Sequence, residues 1–189
     1  MISKTRSLAR RVLIIELEAA PYKVDLWNAM AAEHEFAVKV LFTKEKDWAP
    51  DGGHDFRELP PVNFSVEVFE GRGVITIGRC IYTVFKLILS WRPSLVCVSG
   101  YIDAAPLTAI TACLVTRTTF VMRGDIFNNE AVSGASGRLK TSVRNFLRKV
   151  VFRHGRAVLN CGSVGVRSAL HAGCSSAKAL DFPYVVDRQ

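Results

Sequence analysis

Three short polar segments carry the residue types from which a binding or catalytic site could be built. They are Ala20-Pro-Tyr-Lys23, Gly100-Tyr-Ile-Asp103 and Arg123-Gly-Asp125, and each comes shortly after an apolar run. If those runs are parallel strands, their carboxyl ends meet at one edge of a sheet, where ligands of such sheets bind. The sequence therefore predicts a cleft site to which all three segments contribute.

The same residues have more ordinary explanations, and several familiar motifs are missing. Asp103 and Asp125 stand where helices would begin, and capping is the commoner role of such residues. No G-x-G-x-x-G follows the first apolar run, and no G-x-x-x-x-G-K-[ST] occurs in the chain. Dinucleotide and P-loop chemistry are thus disfavoured. The four histidines lack metal-ligand spacing, so we expect neither a metal nor a cofactor.

The elements that would position these residues alternate along the chain. Residues 11–15 and 36–42 are short, β-branched apolar runs, and residues 24–34 between them have helical periodicity. This βαβ unit makes the two strands parallel. The same pattern continues, with strands predicted at 64–69, 95–98, 118–122 and 157–160 and helices at 77–89, 105–116, 139–151 and 162–171. The predicted fold is α/β: a Rossmann-like, doubly wound, mostly parallel sheet with helices on both faces.

Composition indicates one globular domain with an excess of positive charge. The 189 residues are 49% hydrophobic, and 25 Lys and Arg against 17 Asp and Glu give a net charge of +8. We expect a basic tail over residues 1–10 and one domain over residues 11–187. Five cysteines without a C-x-x-C pair indicate buried thiols in a reducing compartment. With no signal peptide or spanning segment evident, a cytoplasmic location follows.

One predicted helix is both basic and amphipathic. Its apolar residues, such as Leu139 and Val151, lie on one face, and the basic residues Arg144, Arg148 and Lys149 lie mainly elsewhere. A solvated outer face is the usual explanation of this pattern. The alternative is peripheral docking on the inner face of an anionic membrane, with these three residues facing the lipid.

Several stretches, in order, resemble the N-terminal domain of family-four-type retaining glycosyltransferases with the GT-B fold, especially bacterial enzymes of polysaccharide and lipopolysaccharide synthesis. The opening of that domain is similar to the stretches at residues 21–30 and 38–42, and its "pro-asp-val-val-x-x-gly-gly-tyr" element is similar to residues 92–101, with Ser99 where glycine is common. Residues 120–125 match the next strand and its exit. Residues 155–163, 172–174 and 183–187 resemble the element that closes the domain.

This resemblance implies hexosyl transfer from a sugar nucleotide to a saccharide or lipid-linked acceptor, with this chain as the acceptor-side half. The donor phosphate would help the acceptor hydroxyl lose its proton, without a metal. The donor-binding C-terminal domain is expected to be absent here, so we expect activity to need that domain, for instance on a partner chain. The implied catalytic residue is Asp125, and the implied acceptor-binding residues are Tyr22, Lys23, Gly100, Tyr101, Asp103 and Arg123.

Two other classes of function compete with this one. A non-catalytic Rossmann-like module could bind a phosphorylated ligand or an anionic membrane through its basic helix. A nucleic-acid binder is the third class, but no aromatic residues are interleaved with the basic ones and no binding motif is present, so we expect no nucleic acid.

Overall fold

A seven-stranded sheet forms the centre of the protein. The computed structural model describes residues 9–17, 20–43, 61–69, 74–124 and 135–182, with backbone only at 74–76 and 135–140. The described strands pair in the order β3-β2-β1-β4-β5-β6-β7, and every pair is parallel. Their bounds are β1 Arg10–Glu16, β2 Phe36–Phe42, β3 Ser65–Val68, β4 Leu95–Ser99, β5 Thr119–Gly124, β6 Val158–Asn160 and β7 Ala179–Asp181.

Five described helices cover the two faces of the sheet unequally. They are α1 Pro21–Ala32, α2 Val74–Trp91, α3 Ala104–Thr116, α4 Ala135–His154 and α5 Gly162–His171. Val24 and Trp27 of α1 pack in one apolar cluster with Val12 and Ile14 of β1. The other four helices contribute to the second cluster, on the opposite side of the sheet. The doubly wound α/β fold with helices on both faces is confirmed.

The strand order places the natural ligand crevice between β1 and β4. The chain builds outward from β1 to β2 and β3, then returns and builds in the other direction from β4. Connections leave the two central strands toward opposite faces, which opens a crevice outside their carboxyl ends. Glu16 ends β1 and Ser99 ends β4, so these residues flank the crevice.

Local sequence explains where several helices begin and end. Pro21 occupies the first turn of α1, where a missing N–H is harmless. Helix α2 ends at Trp91, because Arg92 takes a left-handed φ of 49° and Pro93 follows. Gly173, predicted to terminate α5, has a φ of 97°, and its N–H donates to the Leu170 carbonyl.

The structure differs from the sequence predictions in three places. Strand β7 was not predicted, since only three residues, Ala179–Asp181, extend the sheet beyond β6. Asp103 occupies the N-cap position of α3, but its side chain makes no capping hydrogen bond. On α4, Arg144 and Arg148 are half-buried while Phe146 is exposed, so the predicted apolar face does not coincide with the buried face.

Among the described residues, none of the helices qualifies as a transmembrane span.

The surroundings of Gly155, after α4, and of Gly78, inside α2, predict opposite effects of substitution by alanine. A Cβ on Gly155 would lie 2.7 Å from the Val151 carbonyl oxygen and 3.3 Å from the Phe120 ring. Since backbone cannot yield cheaply, we expect Gly155→Ala to destabilise the fold by about 1–3 kcal/mol. Gly78, inside α2, has nothing within 4 Å of that position. Gly78→Ala should therefore stabilise the fold by up to about 1 kcal/mol.

Urea unfolding of the two variants beside the unsubstituted protein measures both effects. A neutral or stabilising Gly155→Ala would contradict the close approach of Gly155 to the Val151 carbonyl and the Phe120 ring.

Candidate functional site

A buried carboxylate, Glu16, organises the carboxyl edge of the sheet. Its side chain is fully buried, and its residue is 1% exposed. One oxygen, Oε1, accepts a 2.7 Å hydrogen bond from Nη1 of Arg123, and the other, Oε2, lies 3.1 Å from Nζ of Lys23. Both cationic residues are themselves buried. The three groups carry a net charge of +1 and join β1, α1 and β5.

Strand periodicity explains why these groups meet. Side chains alternate between the faces of a strand, so Glu16 lies on the same face as Val12 and Ile14, which pack against α1. Arg123 is two residues beyond Val121, which belongs to the same cluster. Both charged side chains therefore lie on the sheet face that α1 covers, directly beyond its apolar residues and at the carboxyl end of the strands.

Helix α1 supplies the remaining contacts of the cluster. Lys23 lies in its first turn, and Trp27 follows one turn later on the same helical face. The guanidinium carbon of Arg123 lies 5.7 Å from the centroid of the Trp27 ring, within cation–π range. An arginine held by a carboxylate on one side and an aromatic ring on another has little freedom to move.

The pKa of the Cys97 thiol depends partly on the charges of this cluster. Cys97 pairs with Ile14 on β1 and Val121 on β5, so it lies one layer below Glu16 and Arg123. Burial raises the pKa of Cys97 to about 12, with a further upward contribution from the Glu16 charge and a downward one from Arg123. Cys97 is therefore a protonated core residue at neutral pH, unlike the low-pKa thiols that act as nucleophiles.

The turn after β4 links the cluster to the crevice. Gly100 has a φ of 78°, a conformation that favours glycine, and its N–H donates to the Arg123 carbonyl over 2.9 Å. The β4–β5 ladder thus continues one residue past the strand. This places the backbone of Gly100 directly beside the Arg123 backbone at the mouth of the crevice.

Tyr101 turns away from the Glu16 cluster and enters the core on the other face. It packs with Ile15 and Ala105 in the second apolar cluster. Burial raises the pKa of Tyr101, and the positive charges of Arg148 and Arg144 partly oppose that rise. The phenol of Tyr101 and the two arginines of α4 therefore lie close enough to interact. These arginines turn inward toward the exit of β4.

Asp103 lies exposed beside a small cavity of about 180 Å³ at the carboxyl edge. Leu17, Thr43 and Phe69, which follow β1, β2 and β3, form part of its wall, together with residues of α2 and α3. Thr43 donates both its N–H and its hydroxyl to the Glu16 carbonyl, over 3.0 and 3.2 Å. The cavity and the Glu16 cluster thus share a wall, with Asp103 as the carboxylate that faces solvent.

The predicted site residues consequently fall into two groups. Lys23, Gly100 and Arg123 meet around Glu16, and Tyr22 precedes Lys23 in α1 as a half-buried residue. Tyr101 and Asp103 lie toward the α2–α3 side. Asp125 lies outside the described residues.

Sequence reasoning missed Glu16 and Trp27, which the structure places at the centre of the site. The available signal was a carboxylate at the end of a fully buried strand, where an ionisable group requires a partner.

A larger cleft, of about 840 Å³, lies at the opposite edge, where β5 and β6 begin. Its lining includes Arg117, Arg156 and Lys178. The Nζ of Lys178 donates to the carbonyls of Phe152 and Arg153 over 2.8 Å, so it caps the last turn of α4. This cleft is larger than the cavity beside Asp103. Ligands of parallel sheets, however, bind at the carboxyl edge, and the Glu16–Lys23–Arg123 cluster lies at that edge. We therefore take the carboxyl edge as the candidate functional site.

The Glu16–Lys23–Arg123 cluster is better suited to orienting an anionic or hydroxylated ligand than to proton transfer by Glu16. Both oxygens of Glu16 are engaged and away from solvent. No group of three His, Cys, Asp or Glu in the described part of the chain could hold a metal ion.

Comparison with known proteins gives matches among solved structures only. No family model matches the sequence, and no curated protein matches it. Solved structures do match. The UDP-GlcNAc 2-epimerase of Methanocaldococcus jannaschii is 14% identical with a TM-score of 0.55, and the match covers 90% of this chain and 45% of that one.

Two further structures match to the same degree. The Neisseria meningitidis UDP-GlcNAc 2-epimerase bound to UDP-GlcNAc is 11% identical with a TM-score of 0.58, covering 91% of this chain and 45% of that one. Anabaena Alr3699/HepE in complex with UDP and glucose is 12% identical with a TM-score of 0.57, covering 93% and 45%. The chain thus spans a little under half the length of these GT-B proteins, and its fold is that of a GT-B-like half.

The ion cluster predicts a large difference between two Glu→Gln substitutions. Glu16→Gln leaves two buried cations with a neutral amide, and we expect a loss of about 3–5 kcal/mol in the free energy of unfolding. Glu67 forms a 3.1 Å ion pair with Lys39, but both side chains are partly exposed. Glu67→Gln should therefore cost under about 1 kcal/mol. Chemical denaturation at constant ionic strength measures both.

A double-mutant cycle on Glu16→Gln and Arg123→Gln checks the assignment. Because the two side chains contact each other, the double variant should lose less stability than the single losses added together. Simple additivity would show that the pair does not hold β1 to β5.

The buried thiol predicts a loss of stability in alkali. An ordinary thiol has a pKa of 9.0, whereas that of Cys97 is about 12. Above pH 9 the unfolded chain releases a proton that the folded chain keeps, so this stabilising contribution is lost as the pH rises from 9 to 12. Between pH 8 and 10 the loss is on the order of 1 kcal/mol for this thiol. Urea unfolding under reducing conditions should show a smaller loss for Cys97→Ala. An equal loss would exclude Cys97 as the source.

Proposed function

We propose that this chain is the acceptor-side half of a sugar-nucleotide-dependent glycosyltransferase of the retaining, family-four type. The observation that carries the proposal is the Glu16–Lys23–Arg123 cluster at the carboxyl edge of a GT-B-like half, beside the crevice between β1 and β4. The order of the motifs in the sequence supports the same function. A second, donor-binding domain, in the same polypeptide or another, completes the enzyme.

The solved structures support a sugar-nucleotide substrate. One is bound to UDP-GlcNAc and another to UDP and glucose. A nucleotide diphosphate is an anion, and the cluster at the carboxyl edge of this chain has one more cation than carboxylate. Because Lys23 and Arg123 are buried and held by Glu16, this charge favours an anion in the crevice through its electrostatic potential and not by direct contact. These likenesses fit a chain whose crevice meets the sugar–phosphate end of the donor.

In this proposal the residues divide into those that contact the acceptor and those that position them. Asp103 is exposed beside the small cavity and can accept a hydrogen bond from an acceptor hydroxyl. Asp125, which follows β5 in the sequence, has the same role. Tyr22 and the backbone of Gly100 line the approach. Lys23, Tyr101 and Arg123 are buried and act as positioning residues, held by Glu16 and by packing.

Transfer by the purified chain, alone and together with a separately expressed donor-binding domain encoded by the same reading frame or by an adjacent gene, tests this function. A panel of UDP-, GDP- and ADP-sugars is offered with saccharide and polyprenyl-phosphate sugar acceptors, and products are detected by mass spectrometry. We expect transfer only when both proteins are present. NMR of the product should show a retained anomeric configuration.

Two carboxylate variants locate the site within that assay. Asp103→Asn should lower kcat/KM at least about tenfold, since a neutral amide orients an acceptor hydroxyl less strongly. It should leave the melting temperature unchanged, because Asp103 is exposed and caps no helix N–H. Glu33→Gln is the matched control, an exposed carboxylate at the opposite end of α1. An equal effect of both variants would contradict the placement of the site.

Other outcomes of the same panel assign other functions. Conversion of UDP-GlcNAc to its 2-epimer without transfer would replace the proposal with an epimerase function. Saturable binding of a sugar nucleotide or inorganic phosphate without turnover in any combination would favour a non-catalytic module that binds a phosphorylated ligand.

A further inference from the structure

The cleft of about 840 Å³ at the amino edge of the sheet collects positive charge. Arg117, Arg156 and Lys178 line this amino-edge cleft, together with His154, and its described lining residues include no Asp or Glu. Since the cleft lies where β5 and β6 begin, it is at the other end of the strands from Glu16 and the crevice. It is a separate surface that the proposed function leaves unexplained.

Two described carboxylates of the same edge lie away from the cleft. Glu33 and Glu35 come directly before β2. In the order of the sheet, β2 is three strand positions from β5, a distance of about 14 Å. These two carboxylates therefore do not offset the cations of the amino-edge cleft.

Two helix C-termini at the cleft account for part of its positive charge. Helix α3 ends just before Arg117 and α4 ends at His154, and each terminus carries about half a negative charge. Lys178 caps α4, since it donates to two carbonyls of the last turn. About one negative charge thus faces three cations, which leaves about two positive charges. Within the described part of the chain, neither Arg117 nor Arg156 forms an ion pair.

The start of β5 brings these two arginines to one cleft. Arg117 lies two residues before the strand, and the N–H of Arg156 donates to the Phe120 carbonyl over 2.8 Å. Both arginines are exposed, and so is Thr119, the first residue of β5. Two guanidinium groups and a hydroxyl therefore line the same concavity.

The amino-edge cleft also has an apolar part. Leu114 of α3 and Leu180 of β7 line it and are 38% and 46% exposed. Cys113 and Ala157, which also line it, are buried. The cleft thus offers cationic donors and apolar surface to one ligand.

We propose that the amino-edge cleft binds a small organic phosphate. The phosphate contacts Arg117 and Arg156, because a guanidinium group matches phosphate oxygens with two parallel hydrogen bonds. The organic group packs against Leu114 and Leu180. A volume of about 840 Å³ lies in the range of small-molecule sites. This inference does not depend on sugar transfer, since the crevice lies at the other end of the strands.

A nucleic-acid strand fits this surface less well. Binding of a strand relies on cations that follow its backbone along a groove and on exposed aromatic rings that stack with its bases. Here the cations lie in one concavity, and the aromatic residue that lines it, Phe120, is 2% exposed. A single phosphate with a compact organic group complements the cleft better.

Titration with phenyl phosphate at low ionic strength tests the proposal, with inorganic phosphate and phenol as the two separate halves of the probe. We expect calorimetry to show that phenyl phosphate binds about tenfold more tightly than inorganic phosphate, since its ring adds apolar contact. Phenol alone should not bind measurably. By NMR at constant pH, the Cε1–H resonance of His154 should shift saturably, whereas that of His34, beside β2, should not.

A double variant tests the role of the two arginines. Arg117→Gln with Arg156→Gln should weaken phenyl phosphate binding at least about thirtyfold, because charge-assisted hydrogen bonds are lost. Arg92→Gln with Arg167→Gln is the matched control. All four arginines are exposed, and Arg92, like Arg117, follows a helix with a left-handed φ. The control should change the affinity by less than about twofold, since screening weakens attraction from a distance.

Two neighbouring residues of α3 test the apolar part. Leu114→Ala should reduce the preference for phenyl phosphate over inorganic phosphate to about threefold or less, because less apolar surface faces the ring. Val115→Ala is the control, since Val115 is 72% exposed and is not among the lining residues. It should keep the full preference. All changed residues are exposed, so circular dichroism should show unchanged folding.

Three outcomes would overturn the proposal. One is a His154 resonance that does not shift saturably with phenyl phosphate. Another is an equal loss of affinity in the two double variants, which would show attraction by net charge alone. The last is equal binding of phenol and phenyl phosphate, which would make the cleft an apolar pocket without a phosphate site.

Discussion

The carboxyl edge of the sheet depends on one constraint. The Glu16 carboxylate is buried there between two cations. A charge removed from water is costly unless it is paired and hydrogen-bonded. Here the pairing groups come from three elements, since Glu16 ends β1, Lys23 lies in the first turn of α1 and Arg123 lies in β5. The position of α1 on the sheet and the alignment of β5 must both satisfy one carboxylate. The Trp27 ring limits Arg123 from another side.

The two faces of the sheet differ in where charge is buried. On the face covered by α1, the apolar stripe of Val12, Ile14 and Cys97 ends in the charged cluster, so the crevice beside β4 is bordered by fixed cations. On the other face, four helices without carboxylates cover a larger apolar core. The carboxyl edge is suited to a small polar ligand.

The likeness to UDP-sugar proteins concerns the backbone, at 11–14% identity and TM-scores of 0.55–0.58. A fold of this kind positions strand ends and leaves the chemistry to the residues placed there. In this chain those residues include an exposed carboxylate at the start of α3 and a tied arginine at the end of β5. The proposed transferase function therefore depends on these side chains and on a second domain, whereas the GT-B-like architecture is common to proteins with different activities.

The sequence by itself determined the alternation of strands and helices, because hydrophobic periodicity and β-branched runs are local properties. It placed β2 at its observed bounds, Phe36–Phe42, and α5 at Gly162–His171. It also identified the strand exits that hold Lys23, Gly100 and Arg123. It did not identify β7, whose three residues form a strand only because β6 offers a free edge.

Only the tertiary structure decided which charges meet and which faces are covered. Glu16 and Arg123 are 107 residues apart, and their pairing follows from a strand order that brings β4 between β1 and β5. The orientation of α4, with Arg144 inside and Phe146 outside, depends on what Tyr101 and the sheet present to it. Periodicity records that a helix has an apolar side, but contact with neighbouring elements determines which side loses its water.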